Sequence, residues 1–538
     1  MATVAAVSIT PAGPSSKNGW SLIDLPRALG RVVWKQLYHA LSRPNKAYGE
    51  VFLEGNFAPV PEELFEAALE VVEGAVPPEI DGAFLRVGPN PALPPVGGYH
   101  WFDGDGMVHA CRIKGGSASY CNRWVETSRL KQEREAGYAH CLKFGDHVGV
   151  AGLALLLLNK ARTRLGVVDT SEGLGTANTA MVAHAGRLLA LNEGDLPYSL
   201  RLACNGLLET VGRVTMGGWR KTSFTAHPKL DPATGKLHFF RYTFDAPPYA
   251  TAATLGPDGA TLEGVVDLDL ARPVMMHDMA ISQSYQIFMD HPLIFDGERM
   301  VKGQLPFRFA AEHGSRIGLL KKGADSSEGM VWIKMPAFMV FHVANAWEEE
   351  DGTTTIPHGT SSTGGIPPAE QPRLAVATLD PKTGESSLRV LSEVVGDFPT
   401  IHPQKTGQKC RYAYLAAMVT KNKAVKWDGV AKIDLWAPEG SDACAGRIKL
   451  PPGHYNGETQ FVPRHDDPSL CASEDDGFLV TFVHDEVAGQ SYLGIWDAAT
   501  MDDAPLAKLK LPARVPYGFH SHWMSGDACR KAACAEAC

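Results

Sequence analysis

The chain of 538 residues has no run of about twenty apolar residues, so it offers no helix long enough to cross a bilayer. It also has no Cys-x-x-Cys pair, and most of its ten cysteines lie far apart. In a chain of this size that pattern reads as free thiols in a reducing compartment. The three cysteines of the last stretch, ACRKAACAEAC, read as part of a frayed terminus, with a soft-metal site as the alternative. Charge of one sign is missing too: 51 basic against 60 acidic residues leave a net charge of -9, which excludes a field able to hold nucleic acid. The opening stretch MATVAAVSITPAGPSSKNGW has neither the apolar centre of a secretion signal nor an arginine. Residues 1–20 are therefore expected to form a disordered N-terminal arm of a cytoplasmic protein, a short plastid transit peptide being the alternative.

Two amphipathic stretches stand out from the rest. In SLIDLPRALGRVVWKQLYHAL the apolar Leu25, Leu29, Val32, Val33 and Leu37 recur at helical spacing among Arg27, Arg31 and Lys35. In VGVAGLALLLLNKARTRLG, Leu153 to Leu158 adjoin Lys160, Arg162 and Arg164. Each alone suits a core-packing helix. Together they also suit a surface that dips into a membrane without spanning it, to collect a lipid-dissolved substrate.

Past residue 165 the texture changes to apolar runs separated by turn clusters, as in HPKLDPATGKLHFFRYTF, PRLAVATLDPKTGESSLRVL and GQSYLGIWDAATM. This is the hairpin signature, and 54 glycines and 37 prolines supply the turns of an all-β fold. No strict repeat, such as one Trp-Asp dipeptide per blade, marks a propeller.

Of the nineteen histidines, four sit in or beside apolar runs: His227 in SFTAHPKLDP, His277 in PVMMHDMAIS, His342 in FMVFHVANAWEE and His520 in VPYGFHSHW. Burying an imidazole without a partner is costly, and a shared metal is a natural reason to gather several. The wide separations exclude a finger or a His-Glu-x-x-His helix. Adding Glu193, Asp397 and Glu458 gives seven positions separated by 34, 50, 65, 55, 61 and 62 residues. A radial fold of about seven blades would aim all of them at one axis. On a strand His520 and His522 share a face, so periodicity nominates both equally. Asp103 and Asp105 in YHWFDGDGMVH suggest a calcium loop, but further oxygen ligands at loop spacing are missing, and a tight turn with Asp side chains on backbone amides is the competing reading.

The stretches FLEGNFAPVPEE, FLRVGPNP, YHWFDGDGMVHACRI, NRWVETSRLKQE, GTANTA, SFTAHPKLDP, MMHDMAIS, FHVANAWEEEDG and VPYGFH, spread from about residue 51 to 524, resemble the carotenoid cleavage oxygenase family. TSRLKQE, VANAWEEEDG and DFP are most similar to its plant-type carotenoid cleavage dioxygenase 1 class. The resemblance implies a seven-bladed β-propeller with a helical cap, formed by a single catalytic domain over 21–524. Cap helices are expected near 21–42 and 146–165, and a flexible Cys-containing tail over 525–538. It implies one Fe2+ held by His227, His277, His342 and His520, selecting His520 over His522, with dioxygen as co-substrate. Glu193, Asp397 and Glu458 would serve His277, His342 and His520, Asp397 reaching only through water because relatives carry the longer Glu. The implied reaction is cleavage of a carotenoid or apocarotenoid C=C bond, at the 9,10 (9′,10′) positions, by a protein peripherally associated with a membrane. Cleaving such a bond with dioxygen calls for a redox metal, which zinc is not. The alternatives are a stilbene-cleaving oxygenase or a retinyl-ester isomerohydrolase of the same fold, or a catalytically silent binding scaffold, against which the presence of all four histidines speaks.

Overall fold

The computed structural model describes residues 24–42, 50–203, 207–304, 306–361, 371–421 and 424–534. The expected N-terminal arm, residues 1–20, lies outside them.

The turn clusters act as the hairpin reading requires. Strand Gly477–Asp485 folds back on Gln490–Asp497 across Gly489, and Arg373–Leu379 on Ser386–Thr400 across Gly384. Both glycines take a positive φ, of 67° and 76°, which an L side chain resists. Consecutive antiparallel strands build separate sheets in chain order. One four-stranded sheet runs from Ala180 to Arg213, the next from Lys229 to Leu268 and a third from Met279 to Met335. A long, bent sheet takes up most of the strands from Trp347 to Lys510. The fold is thus mostly β with few helices, and its core is divided into apolar clusters that fill the spaces between successive sheets, such as Leu237, Phe239 and Trp219 or Ile317, Val343 and Ile356.

The two ends of the chain are sewn together. Strand Glu70–Gly74 pairs with Ala507–Lys510, and Gly82–Pro89 pairs with Ser521–Ser525. Beyond that last strand the chain departs from the expected flexible tail: Gly526–Cys534 is a helix. Cys529 and Ala532 turn into the core beside Leu85 and Leu200, so apolar burial holds a segment that composition alone marks as frayed. This also removes Cys529 from any exposed metal site at the terminus.

Both amphipathic stretches are helical, as Asp24–Ser42 and Gly149–Arg164. They pack on each other through Trp34, Tyr38 and Leu155, with the Trp34 indole donating to the His140 carbonyl at 3.0 Å and Arg162 stacked on its ring. Apart from Leu155 and Leu158, several leucines and valines of these stretches do not take part. Leu29 is 65% and Val32 59% exposed, as are Val150 (69%) and Leu157 (61%), so these apolar residues face outward. Among the described residues no helix is long and apolar enough to cross a membrane.

Candidate metal centre

Each of the four histidines leaves a segment at the margin of a different sheet. His227 precedes strand Lys229–Leu230, and its amide donates to Thr225 Oγ1 at 3.0 Å. His277 lies between Met275, whose amide donates to the Leu293 carbonyl, and strand Met279–Ile281. His342 lies between Met339, bridged to Ser361, and Val343, bridged to His358, and its carbonyl accepts from the Gly359 amide at 3.0 Å. His520 sits one residue before strand Ser521–Ser525, pinned on both sides: its amide donates to Thr179 O and its carbonyl accepts from Val87 N.

These segments bring the four imidazoles together, with one donor nitrogen of each within 4.8 Å of the others. Three rings are anchored from behind. His342 Nδ1 lies 2.9 Å from Asp397 Oδ1, His520 Nδ1 lies 2.9 Å from Glu458 Oε1, and His277 Nδ1 bonds to Glu193 Oε1. With Nδ1–H donated to a carboxylate, Nε2 presents its lone pair to the shared space. Glu193 and Glu458 are themselves held, by the Tyr242 hydroxyl and by the Ser521 amide and hydroxyl respectively. Among the described residues no carboxylate bonds His227.

Electrostatics keep part of the set neutral. Burial, reinforced by the neighbouring imidazoles, holds His227 well below the usual histidine range, and burial lowers His520 against the pull of Glu458. At His342 burial also acts downward, but Asp397 outweighs it and the pKa is raised, while Asp397 is lowered. A divalent cation would displace that proton, since a ligating imidazole must offer a free lone pair. Two features fit such an ion: His342 Nε2 is buried without a hydrogen-bond partner, and the Nε2 atoms of His227 and His277 stand 3.0 Å apart, a spacing that needs a proton or cation in common. All-imidazole donation suits a first-row transition metal.

The water-mediated contact expected for Asp397 is replaced by a direct one. The strand bulges between Asp397 and Thr400, Phe398 takes a φ of 54°, and Gly359 leaves room where a Cβ would come 3.3 Å from Asp397 Oδ1. His522 is not part of the group; it lies opposite Leu85 in the sheet, and burial lowers its pKa to about 4. Asp103 spends its carboxylate on the Phe144 and His100 amides, as the turn reading has it. A second gathering of donors, Glu133, His140 and Cys141, is ill suited to a cation: Arg129 and Lys143 flank it, Glu133 accepts from two backbone amides, and burial pushes the Cys141 thiol up to about 11.

A cavity of about 200 Å3 opens on three of the histidines, His277, His342 and His520. Its walls are aromatic. Phe398 packs against His342, His520 and Trp427, while Trp101 packs against Phe57, Phe519 and Trp427. Sequence reasoning did not single out these wall residues. Phe57 lies inside the motif FLEGNFAPVPEE, and Trp101, Phe398 and Phe519 lie beside the polar Asp103, Asp397 and His520, but Trp427 carries no local signal at all.

The family described as retinal pigment epithelial membrane protein matches residues 57–525. The chain is 41% identical to carotenoid 9,10(9′,10′)-cleavage dioxygenase 1 of Phaseolus vulgaris, over 96% of its own length and 95% of that protein. The chain belongs to the carotenoid cleavage oxygenase family. Among solved structures it is similar to a lignostilbene dioxygenase from Pseudomonas brassicacearum, with TM-score 0.76, 26% identity, and 88% and 98% of the two chains covered. It is also similar to a variant of Synechocystis apocarotenoid oxygenase, with TM-score 0.71, 25% identity, and 87% and 97% covered. Membership in a carotenoid cleavage oxygenase family makes the chain an oxygenase, and the four-histidine group is where such an enzyme could hold its metal.

Proposed function

We propose that the chain is a single catalytic unit, a seven-bladed β-propeller with a helical cap, in which His227, His277, His342 and His520 hold one ferrous ion and dioxygen cleaves a C=C bond of a carotenoid or apocarotenoid. The observation that carries this is the convergence of four buried imidazoles, three of them fixed through Nδ1 by carboxylates. The pairing of first and last strands supports a closed radial arrangement of sheets. When bound, ferrous iron supplies the redox chemistry that lets triplet dioxygen react with a closed-shell polyene. The protein's own part is orientation and exclusion. Glu193, Asp397 and Glu458 keep three Nδ1 protons and so aim three lone pairs. Phe398, Trp427, Trp101 and Phe519 exclude water and grip the polyene through dispersion. The two oxygen atoms end on the two carbons of the broken bond, giving two carbonyl fragments. Because a polyene has no hydrogen-bonding handle along its length, the depth of the cavity chooses the bond, and kinship with the 9,10(9′,10′) enzymes supports those positions.

The same reading has the protein working in the cytoplasm and docking on a membrane through the outward leucines and valines of the two cap helices, where a lipid-dissolved substrate is found. Likeness to the lignostilbene dioxygenase favours a second substrate class, stilbenes. Incubating iron-loaded protein with an apocarotenoid and with a stilbene, followed by mass spectrometry of the products, separates them. Apocarotenoid cleavage at the 9,10 bond is expected; an inert apocarotenoid beside a cleaved stilbene would replace the substrate assignment.

A further inference from the structure

We propose that Asp278 is a positioning residue that sets three of the four imidazoles relative to one another, a role that rests on the metal reading above. Asp278 directly follows His277 and is buried. Its Oδ2 accepts from the Val343 amide at 2.8 Å, and Val343 directly follows His342. Its Oδ1 accepts from the Met279 amide at 2.7 Å and lies 2.8 Å from Lys229 Nζ, and Lys229 stands two residues beyond His227. One carboxylate thus ties together the segments that carry His227, His277 and His342.

Those segments belong to separate sheets. Lys229 starts the sheet that runs to Leu268, Met279 starts the one that runs to Met335, and Val343 is bridged to His358 in the long sheet. Ladder hydrogen bonds fix positions within a sheet and leave the spacing between sheets to side-chain packing. Asp278 adds directional bonds across both gaps, directly behind the histidines. Glu193, Asp397 and Glu458 each aim one ring; Asp278 ties the backbone beside His277 to the backbone beside His342, and reaches the His227 segment through the Lys229 side chain.

The chemistry of the carboxylate matters. A buried charge is costly unless paired and fully bonded, and here Lys229 supplies the counter-charge while two amides supply further bonds. Two acceptor oxygens serve three donors at once. An Asn offers one acceptor oxygen, and its amide would face a donor on the other side, so it loses at least one of the ties. His520 stands outside this clasp, held instead by Thr179 and Val87.

The test uses full-length D278N, K229M and K229R proteins beside the wild type. Each metal-free protein is titrated with ferrous ion against a chelator and with cobalt(II), whose visible d–d bands report ligand geometry. D278N and K229M are expected to bind both ions roughly tenfold more weakly, on the scale seen when groups supporting a metal ligand are removed, with altered d–d bands. K229R, which keeps the charge, is expected to stay close to wild type. Wild-type affinity and d–d bands in D278N, whatever its melting temperature, would overturn the proposal. If D278N does not fold, the same result in K229M would overturn it. A wild-type chain that takes up neither ion removes the metal reading and the role of Asp278 with it, whereas tight wild-type binding unchanged in the variants removes the clasp alone.

Discussion

Asp397 shows how much a site can depend on one methylene and its surroundings. It reaches His342 across 2.9 Å at a point where the strand register shifts just beyond it, and beside Gly359, where a Cβ would crowd its Oδ1 at 3.3 Å. Replacing it by Asn leaves the shape but puts a neutral amide where the imidazole needs a charged acceptor. D397N is expected to weaken ferrous-ion binding by about 10- to 100-fold, as for other groups behind a metal ligand. Chelator competition measures this, and an unchanged affinity would remove Asp397 from the support of the site. The four histidines could be nominated from the sequence: each sits in or beside an apolar run, where a lone imidazole is costly, and the family resemblance chose His520 over His522. The direct Asp397 contact was not readable, because it lies beside a register shift and a glycine 38 residues away in sequence. Asp278 was equally hidden, since its partners Lys229 and Val343 meet it only once the sheets are assembled.

Among the elements, helices Asp24–Ser42 and Ser128–Ala136 are both held to the segment of residues 140–146 by a buried polar junction. Helix Ser128–Ala136 presents Glu133, which accepts from the His140 and Cys141 amides at 2.8 and 2.7 Å. The segment it holds carries the His140 carbonyl bonded by Trp34, and Asp146, bonded by the Tyr38 hydroxyl at 2.7 Å. Burial would raise the Glu133 pKa, but Lys143, Arg129 and the Cys141 amide outweigh it and lower the value from 4.5 to about 2. A carboxyl depressed in the folded state stabilises above its unfolded pKa, and that stability is lost as pH falls toward 2. The shift amounts to about 3 kcal/mol. E133Q is therefore expected to lose about that much at neutral pH and to flatten the loss of stability between pH 4.5 and 2, measured by denaturant unfolding across pH. An unaltered acid profile would contradict this. The outward face of helix Asp24–Ser42 makes a separate prediction. Replacing Leu29, Val32 and Val33 by Ser should lower liposome association while leaving Trp34 and Tyr38 packed, and equal sedimentation with liposomes would refute membrane docking by this helix. Apolar patterning found both helices, but it did not show which residues face inward; Trp34, Tyr38 and Leu155 do, and Leu29, Val32, Val33, Val150 and Leu157 do not.

The whole molecule depends on joining its ends. Hairpins could be read from apolar runs and glycine turns because partner and turn lie within a few residues. The pairing of Gly82–Pro89 with Ser521–Ser525 spans more than four hundred residues and leaves no local pattern. That pairing also places His520, since Val87 and Thr179 hold its backbone. Ending the chain after His520 would strip Phe84 and Leu85 of their strand partner and expose the core that Met524 and Cys529 complete. This truncation is expected to abolish cooperative unfolding in calorimetry; a transition at the original temperature would show that the closing strand is dispensable. The central claim, that the assembled site directs both atoms of dioxygen onto one double bond, is tested most directly by turnover of an apocarotenoid under 18O2 with rapid trapping of the products. Label in the new carbonyl of both fragments, with no product when oxygen is excluded, is the predicted result. Cleavage without oxygen, or label in one fragment only after exchange with water has been ruled out, would contradict it.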